Sequence, residues 1–256
     1  MRLKREAERE IRILYRDERL LLVDKPPGMM VHRNGWEPKA PSCVHNLAGI
    51  LGRKILNVHR LDRATSGVMV FALDPDAADA VAAQFREREV RKRYISVVRG
   101  HLTERREINT PLKDRRGREL PARSVVVPIC RTIVPEPVGA YREAWYSLVE
   151  IEIESGRRHQ VRRHLSSIAH PVVGDKEHGD GKNNRLVAGR FGTGELLLRA
   201  VSLRFRHPDG EKAVYASAGL PEWWRDLLVA MEIDAPEWIE QEGRVELEPA
   251  DGKGGT

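Results

Sequence analysis

The sequence contains few of the residues that mark disulfide-bonded, zinc-binding or membrane proteins. Its 256 residues include only two cysteines, Cys43 and Cys130, which lie far apart and outside any CxxC spacing. We therefore expect no disulfide, no zinc site and two ordinary core thiols. No apolar run approaches the roughly 18 residues that a membrane span needs, and the start MRLKREAERE lacks the apolar core of a signal peptide. We expect a cytoplasmic protein.

Signature motifs of cofactor-dependent enzymes are absent as well. There is no GxGxxG after a strand pattern, no GxxxxGK followed by Ser or Thr, and no HExxH. Dinucleotide cofactors, NTP hydrolysis and zincin chemistry therefore have no support. Four histidines lie between 159 and 178, but His159 and His164 would diverge by roughly 140° on a helix. We expect no metal site and no cofactor.

Positive charge is what the sequence has in excess. The formal net charge is +6, and Met1 to Ala230 alone contain 42 basic and 30 acidic residues. Between Arg86 and Arg118, twelve Lys or Arg accompany five acidic residues. Such a concentration is typical of a polyanion-binding surface, although a solvated charged face gives the same counts.

Strand patterns outnumber helix patterns, which predicts an α+β fold with a largely antiparallel or mixed sheet and flanking helices. A hairpin is expected from residue 11 to LLLVDKPPG, and a second one turns at Asp209-Gly210. Asp74 and Pro75 form a helix start, and this helix should run to about Glu87. Another helix is expected from Gln160. In EAWYSLVEIEIESG, period-two alternation predicts one buried face made of Trp145, Val149, Ile151 and Ile153.

Composition also suggests how the chain is divided. Residues 1–10 are expected to be a charged tail and 11–238 a single domain. Residues 239–256 are acidic and Gly-rich with little to bury, so we expect them to be disordered.

The stretch NVHRLDRATSG places Asp62 between Arg60 and Arg63. A lone ion pair needs one arginine, so the second one indicates an ionised carboxylate beside an anionic partner. Together with Tyr94 on a basic strand and an arginine-rich helix, this suits an enzyme that acts on a base in RNA. Such a base must be flipped out of its stem and held by stacking, while arginines bind the flanking phosphates.

Four segments carry a resemblance to the RluA-type pseudouridine synthases. HRLDRATSG resembles the HRLDxxTSG motif, RKRYISVVRG the basic-Tyr strand, SGRRHQVRRHLSSIAHPVVGD the GRxHQxRxHL and HPxxGD segments, and DKPPGMMVH the KPxGxxVH motif. Together they extend from about Tyr15 to Ser217. The resemblance implies a pseudouridine-synthase fold, in which a sheet with flanking helices and loops surrounds a central catalytic cleft, here without an S4-type RNA-binding domain.

The family's activity, the isomerisation of uridine to pseudouridine without metal or organic cofactor, carries over by motif position. Asp62 is then the catalytic aspartate, attacking the base or driving glycosidic cleavage. Tyr94 stacks on the base and assists proton transfer, and Arg162 pairs with the aspartate. Arg60 fills the gap left by the flipped base. Blander alternatives stay open: Asp62 as a turn cap, Tyr94 as a core aromatic and Arg162 as a phosphate contact.

Residues expected to bind RNA are all basic and lie in or beside these motifs: Arg60, Arg63, Lys92, Arg157, Arg158 and Arg163. Thr65, Ser66 and Gly67 are expected to shape the turn that presents Asp62. One departure from the family pattern is Arg199, which stands where the family usually has histidine. We expect it to serve packing or phosphate contact.

Within this resemblance, the segment HGDGKNNR, the absence of an S4 domain and the EWWRDLL helix are most similar to members of the family that act on tRNA, which implies modification of a uridine in the T-stem/acceptor region. We also expect a monomer. Two alternatives remain: a ribosomal-RNA synthase of the same family, and an RNA-binding protein without catalysis. A glycosidic hydrolase would need a second carboxylate within reach of the first, for which these segments offer Asp175.

Overall fold

The computed structural model describes residues 10–33, 35, 37–240 and 243–249. The chain forms two compact units. One, here called the Asp62 unit, contains the described residues up to Lys92, then Ala200–Ala218 and 243–249. The other, the Arg162 unit, contains Arg93–Arg199 and the described residues from Gly219 to 240. The predicted domain 11–238 is thus built of two units, and that they form one catalytic domain stays a prediction.

The Asp62 unit is a sheet with two helices, α1 and α2. Its strand order is β1-β2-β4-β11-β12-β13, with β3 beside β4. The elements are β1 Arg12–Arg16, β2 Leu20–Lys25, α1 Cys43–Leu51, β3 Leu56–Asn57, β4 Ser66–Ala72, α2 Pro75–Glu87, β11 Leu198–Arg206 (belonging here from Ala200), β12 Lys212–Ser217 and β13 Val245–Pro249.

Two predictions for this unit are confirmed at the level of individual hydrogen bonds. The Asp74 side chain accepts from the Ala77 N–H at 2.8 Å and so caps α2, whose first residue is Pro75. The hairpin of β11 and β12 turns where expected, with the Gly210 N–H donating to the His207 carbonyl at 2.8 Å. Every residue of β4 is buried, so its apolar run forms the centre of this unit.

The Arg162 unit is a second set of antiparallel strands with helices. Its strands follow the order β5-β10-β9-β6, and a separate pair is formed by β7 and β8. The elements are β5 Arg91–Arg99 (belonging here from Arg93), β6 Arg106–Ile108, β7 Leu112–Lys113, β8 Glu119–Leu120, β9 Ser124–Val134, β10 Ala144–Ile153, α3 Gln160–Ser167, α4 Gly181–Phe191, α5 Glu222–Ala230 and α6 Glu237–Glu240.

The predicted buried face of β10 is wrong at Trp145. Val149, Ile151 and Ile153 are buried, but Trp145 keeps 47% of its surface exposed. Trp145 precedes Tyr146, where the pairing of β10 with β5 begins, and Ile133 opposite it on β9 is exposed as well. This end of the strand pair is therefore left uncovered, although the alternation along β10 continues.

Two smaller expectations also need correction. The disorder predicted for 239–256 does not extend to Val245–Pro249, which forms β13 and pairs antiparallel with β12. The alternating Val245 and Leu247 give this segment a strand pattern that its acidic composition hides. Residues 250–256, like 1–9, lie outside the described residues. Of the two thiols, Cys43 is buried but Cys130 is only half-buried.

In the part of the chain that the structure describes, no helix is both long and apolar enough to cross a membrane.

Candidate active site

Asp62 lies in the tight loop between β3 and β4. It is half-buried, whereas Arg60 on one side and Arg63 on the other are exposed. The Asp62 carbonyl accepts from the Thr65 N–H at 3.1 Å, and Thr65 and Ser66 are both buried. The backbone therefore turns directly after the aspartate, which agrees with the structural role expected for Thr65 and Ser66.

Gly67 allows this loop to approach the next strand. Its φ is +115°, and a Cβ built on it would lie 2.0 Å from the Ala200 carbonyl oxygen. No L side chain fits such a contact, so glycine is required both by conformation and by space. The contact of Gly67 with Ala200 thereby fixes the position at which the Asp62 loop ends and β4 begins.

The side chain of Lys25 also holds this loop in place. The sequence patterns did not predict these contacts. Its buried ammonium donates to the carbonyls of Pro26, Met29 and Arg63 at 2.9, 2.8 and 3.1 Å. One cation thus joins the Asp62 loop to the segment after β2. Burial is the main reason that the pKa of Lys25 falls to about 8. The DKPPG segment was the available signal, because it matches a family motif that begins with this lysine.

Arg63 has partners of its own in this unit. Its Nη1 contacts both carboxylate oxygens of Glu37 at 2.9 and 3.0 Å, and its Nε donates to the Gly28 carbonyl at 3.0 Å. The pair is exposed. A phosphate would therefore have to compete with Glu37 for Arg63. Arg60 is exposed and makes no ion pair with any residue that the structure describes, and its contact with RNA stays a prediction.

His59, which precedes Arg60, is held neutral. Its Nε2 accepts from the Val70 N–H at 3.1 Å, which requires that nitrogen to be unprotonated. The ring stacks on Phe85 at 4.5 Å. Although His59 keeps some exposed surface, desolvation and the nearby Lys92 lower its pKa to about 3. The histidine therefore supports the loop and carries no charge at neutral pH.

Tyr94 occupies β5 in the Arg162 unit and is buried, with Ile151 of β10 opposite it. Its neighbour Arg93 is fixed from two sides: the guanidinium lies 4.8 Å from the ring of Trp238 and pairs with Glu150. The backbone at Tyr94 is thus held by the register of β5 with β10. Its predicted stacking on the base stays a prediction.

Arg162 is buried on α3 and forms a bidentate ion pair with Asp175. Its Nε and Nη2 donate to the two carboxylate oxygens of Asp175, both at 2.7 Å, and the aspartate side chain is fully buried. Burial alone would raise the pKa of Asp175, but Arg162 and the N–H groups of His178 and Glu177 outweigh it, so the pKa lies below its usual value. The sequence patterns suggested Asp175 only as the second carboxylate of a hydrolase and did not predict its pairing with Arg162. Its position in the HPVVGD motif was the sequence feature that could have drawn attention to it.

Next to this pair lies a group of possible metal ligands. His159, Glu177 and His178 offer ligand atoms that all lie within 4.8 Å of one another, and His159 Nδ1 is 3.0 Å from His178 Nε2. His159 precedes α3 with a left-handed backbone (φ 52°), so the divergence expected from a shared helix with His164 does not apply. Arg158 and Arg162 also contact Glu177, at 3.8 and 3.6 Å. Two guanidinium groups at the only carboxylate of this group oppose cation binding.

The other residues predicted to bind RNA divide by exposure. Arg158 is exposed, and Arg157 and Arg163 are half-buried. The last two tie α3 to neighbouring segments, since Arg157 Nε donates to the Pro121 carbonyl and Arg163 Nη1 to the Lys113 carbonyl. Lys92 is buried with its ammonium 5.7 Å from the ring of Phe85, which does not favour a phosphate contact.

Arg199 is also buried. Its Nε and Nη2 both donate to the Gly219 carbonyl, at 3.0 and 2.7 Å. Of the two uses expected for it, this placement favours packing, because a phosphate cannot reach a guanidinium with 2% of its residue surface exposed.

The family is shown by sequence comparison. The model of a family described as RNA pseudouridylate synthase matches residues 19–167. The chain belongs to this family. It is therefore an RNA pseudouridine synthase of the RluA type, an isomerase.

Curated relatives agree over most of their length. The chain is 38% identical to tRNA pseudouridine synthase C of Vibrio cholerae, over 85% of this chain and 94% of the relative. It is 37% identical to the protein of the same name from Haemophilus influenzae, over 85% and 96%. Similarity therefore covers both units.

Solved structures share the fold. Human RNA Pseudouridylate Synthase Domain Containing 1 and Domain Containing 4 each align with a TM-score of 0.67 and 23% identity. The alignments cover 83% and 88% of this chain, and 84% and 94% of the two human chains. The predicted pseudouridine-synthase fold is confirmed.

Proposed function

We propose that the protein converts one uridine of tRNA, in the T-stem/acceptor region, to pseudouridine, with Asp62, Tyr94 and Arg162 acting on that base. Similarity to tRNA pseudouridine synthase C over 85% of this chain supports the substrate. The observation that carries the chemistry is the Asp62 loop: a half-buried carboxylate at a turn that Gly67 and Lys25 fix through backbone contacts. A group held in this way can contact a flipped nucleotide without itself being solvated like a surface residue.

The reaction needs only bond exchange within the nucleotide. The bond from ribose C1′ to uracil N1 breaks with participation of the Asp62 carboxylate, the detached base turns, and C5 bonds to C1′. A proton then leaves C5 and one returns to N1, so that atoms and charge balance. Tyr94 stacks on the base during the turn, and Arg162 orients the carboxylate.

Asp175 gives no support to hydrolysis. Both of its oxygens bind Arg162, its side chain has no exposed surface, and its pKa is lowered. A general acid needs a raised pKa and access to the leaving group. Its position instead suits a structural role: Asp175 holds the Arg162 side chain in place within the Arg162 unit.

Release of tritium from tRNA transcribed with 5-tritiated uridine tests the proposal, because the C5 proton is lost only when pseudouridine forms. Asp62→Asn keeps the shape of the side chain and should reduce the rate by at least about a thousand-fold, while tRNA affinity stays within a small factor because arginines supply it. Asp79→Asn, on the exposed face of α2, is the matched control and should behave as wild type.

Three results would contradict the proposal in different ways. Modification of ribosomal RNA fragments with none in tRNA would assign the alternative substrate. Binding without tritium release in the wild type would leave an RNA-binding protein. Release of free uracil would indicate hydrolysis.

A further inference from the structure

The end of the β9–β10 hairpin carries exposed apolar side chains that the proposed chemistry does not use. Trp145 is 47% exposed, Ile133 opposite it 46%, and Tyr141 in the connecting turn 71%. Aromatic residues make up only 5% of the sequence. Trp238 is also partly exposed, at 41%, but its ring already has the guanidinium of Arg93 as a partner. Trp145 and Tyr141 are therefore unusual for this chain.

Trp145 is held in one orientation. Its indole stacks on His101, with ring centres 5.2 Å apart and planes inclined by 20°. Its Nε1 donates to Glu143 at 2.7 Å, and its carbonyl accepts from the Gly100 N–H at 2.6 Å. His101 is fixed in turn, since its Nε2 lies 3.1 Å from the Thr132 carbonyl. An aromatic ring that is exposed and also fixed loses little conformational entropy when another ring stacks on it.

The charged residues near Trp145 indicate what kind of molecule would bind to its ring. Arg131 lies on the same strand face as Ile133, two residues away, and Arg142 lies in the turn; both are exposed. Neither forms an ion pair with any residue in the described ranges, whereas Arg190, on α4, pairs with Glu136 of the same turn. Glu143, whose carboxylate accepts from the indole, stands against these two guanidinium groups, so the surface keeps an excess of positive charge. Guanidinium groups beside a fixed indole match a base and its adjoining phosphates.

We propose that the Trp145 platform, formed by Arg131, Ile133, Tyr141, Arg142 and Trp145, stacks an unpaired base of the RNA substrate. This rests on the proposed function for the identity of the RNA. On β10, Trp145 is six residues from Ile151, which lies opposite Tyr94. At about 3.3 Å per residue the platform is roughly 20 Å from the register of Tyr94. The base that it binds is thus a different nucleotide from the one that is isomerised, in a single-stranded segment roughly 20 Å away.

The test compares two RNAs and three variants. Affinities are measured by fluorescence anisotropy for full-length transcribed tRNA and for a duplex that contains the target uridine but has no unpaired segment. Trp145→Ala should weaken tRNA binding about tenfold, and Trp145→Phe should restore part of the affinity, because stacking needs a flat ring. Duplex binding should change little. The exposed Ile50→Ala, in the Asp62 unit, is the control and should bind both RNAs as wild type does.

Salt dependence separates stacking from charge. Trp145→Ala should leave the slope of log affinity against log salt unchanged, whereas Arg131→Gln with Arg142→Gln should make it shallower by about one for each phosphate that is no longer bound. Thermal unfolding of each variant checks that the fold is intact. Raising the tRNA concentration should restore pseudouridine formation in Trp145→Ala.

Equal affinities of wild type and Trp145→Ala for tRNA would overturn the platform. The same holds if the variant instead changes the sedimentation mass, which would assign the surface to a second copy of the chain. Failure of the proposed function is recognised separately: wild type would then form no pseudouridine in tRNA, whatever its affinity.

Discussion

Asp62 and Asp175 are the same residue type in opposite settings. Asp62 stands half-buried in a turn, and the backbone that follows it is fixed by the bond from Lys25 to the Arg63 carbonyl and by the close approach of Gly67 to Ala200. Asp175 is fully buried, and both carboxylate oxygens are occupied by one arginine. The comparison teaches that one aspartate can be placed through its main chain and another through its side chain: the Asp62 loop is fixed at backbone groups, whereas Asp175 is fixed by the arginine that it binds.

The largest effect should come from Gly67→Ala. The new Cβ would lie 2.0 Å from the Ala200 carbonyl oxygen in a backbone conformation that alanine avoids, so we expect a loss of more than about 4 kcal/mol or failure to fold. Gly49→Ala in α1 has open space around it and should be neutral or slightly stabilising. Urea unfolding of both variants measures the difference, and equal midpoints would show that backbone contact does not hold the Asp62 loop.

Asp175→Asn should cause the second-largest loss of stability. It leaves Arg162 buried without its carboxylate partner, which typically costs about 3 kcal/mol or more. Because the folded pKa of Asp175 is lowered, the stability it contributes is present above the unfolded pKa and is lost as pH falls through the folded one. The gap between wild type and variant should therefore shrink in acid.

The double variant Asp175→Asn with Arg162→Met provides the control for this pair. It removes both charges and should recover part of the stability lost in the single variant. Additive losses in urea unfolding would mean that the two residues do not act as a pair.

Lys25→Met tests support that a side chain gives to backbone groups, whereas Asp175 supports another side chain. Three carbonyls lose their donor, and we expect a cost of about 2 kcal/mol at neutral pH. The folded pKa of about 8 is below that of an unfolded lysine, so the unfolded chain binds the extra proton between these values and wild-type stability rises with pH there. Measured from pH 8 to 9.5, wild type should gain stability relative to the variant; a constant difference would contradict the lowered pKa.

Glu177→Gln should have the smallest effect. Glu177 approaches Arg158, His159 and Arg162 at 3.8, 3.5 and 3.6 Å, but its own side chain is 54% exposed. Solvent screens such pairs, so we expect less than about 1 kcal/mol in thermal unfolding. A loss as large as that of Asp175→Asn would mean that the pair of Arg162 with Asp175 depends on this exposed neighbour.

Local sequence patterns predicted much of the fold but not its irregularities. The capped start of α2 and the turn of the β11–β12 hairpin depend on neighbouring residues, and so they could be predicted. The exposure of Trp145 could not, because alternation does not show where the neighbouring elements stop covering a face: Trp145 precedes the residue at which pairing with β5 begins, and Ile133 opposite it is exposed too. The short strand β13 was missed because its acidic composition outweighed two alternating apolar residues.

The candidate site shows the same division. Motifs identified Asp62, Tyr94 and Arg162 directly. The partners Lys25 and Asp175 also lie within motifs, but their roles require long-range contacts: Lys25 reaches the carbonyl of Arg63, and Asp175 reaches Arg162 across a turn. Spacing along the chain does not show which buried charge meets which group.

The pairing of β13 with β12 has a practical consequence for shortened versions of the chain. In the described part of the Asp62 unit, β13 is the last strand beside β12, and it satisfies hydrogen-bonding groups from Lys212 to Ala216. Removing it would uncover a row of unpaired amides, which is a template for strand addition between molecules. Trimming the acidic end in order to improve crystals would therefore invite aggregation.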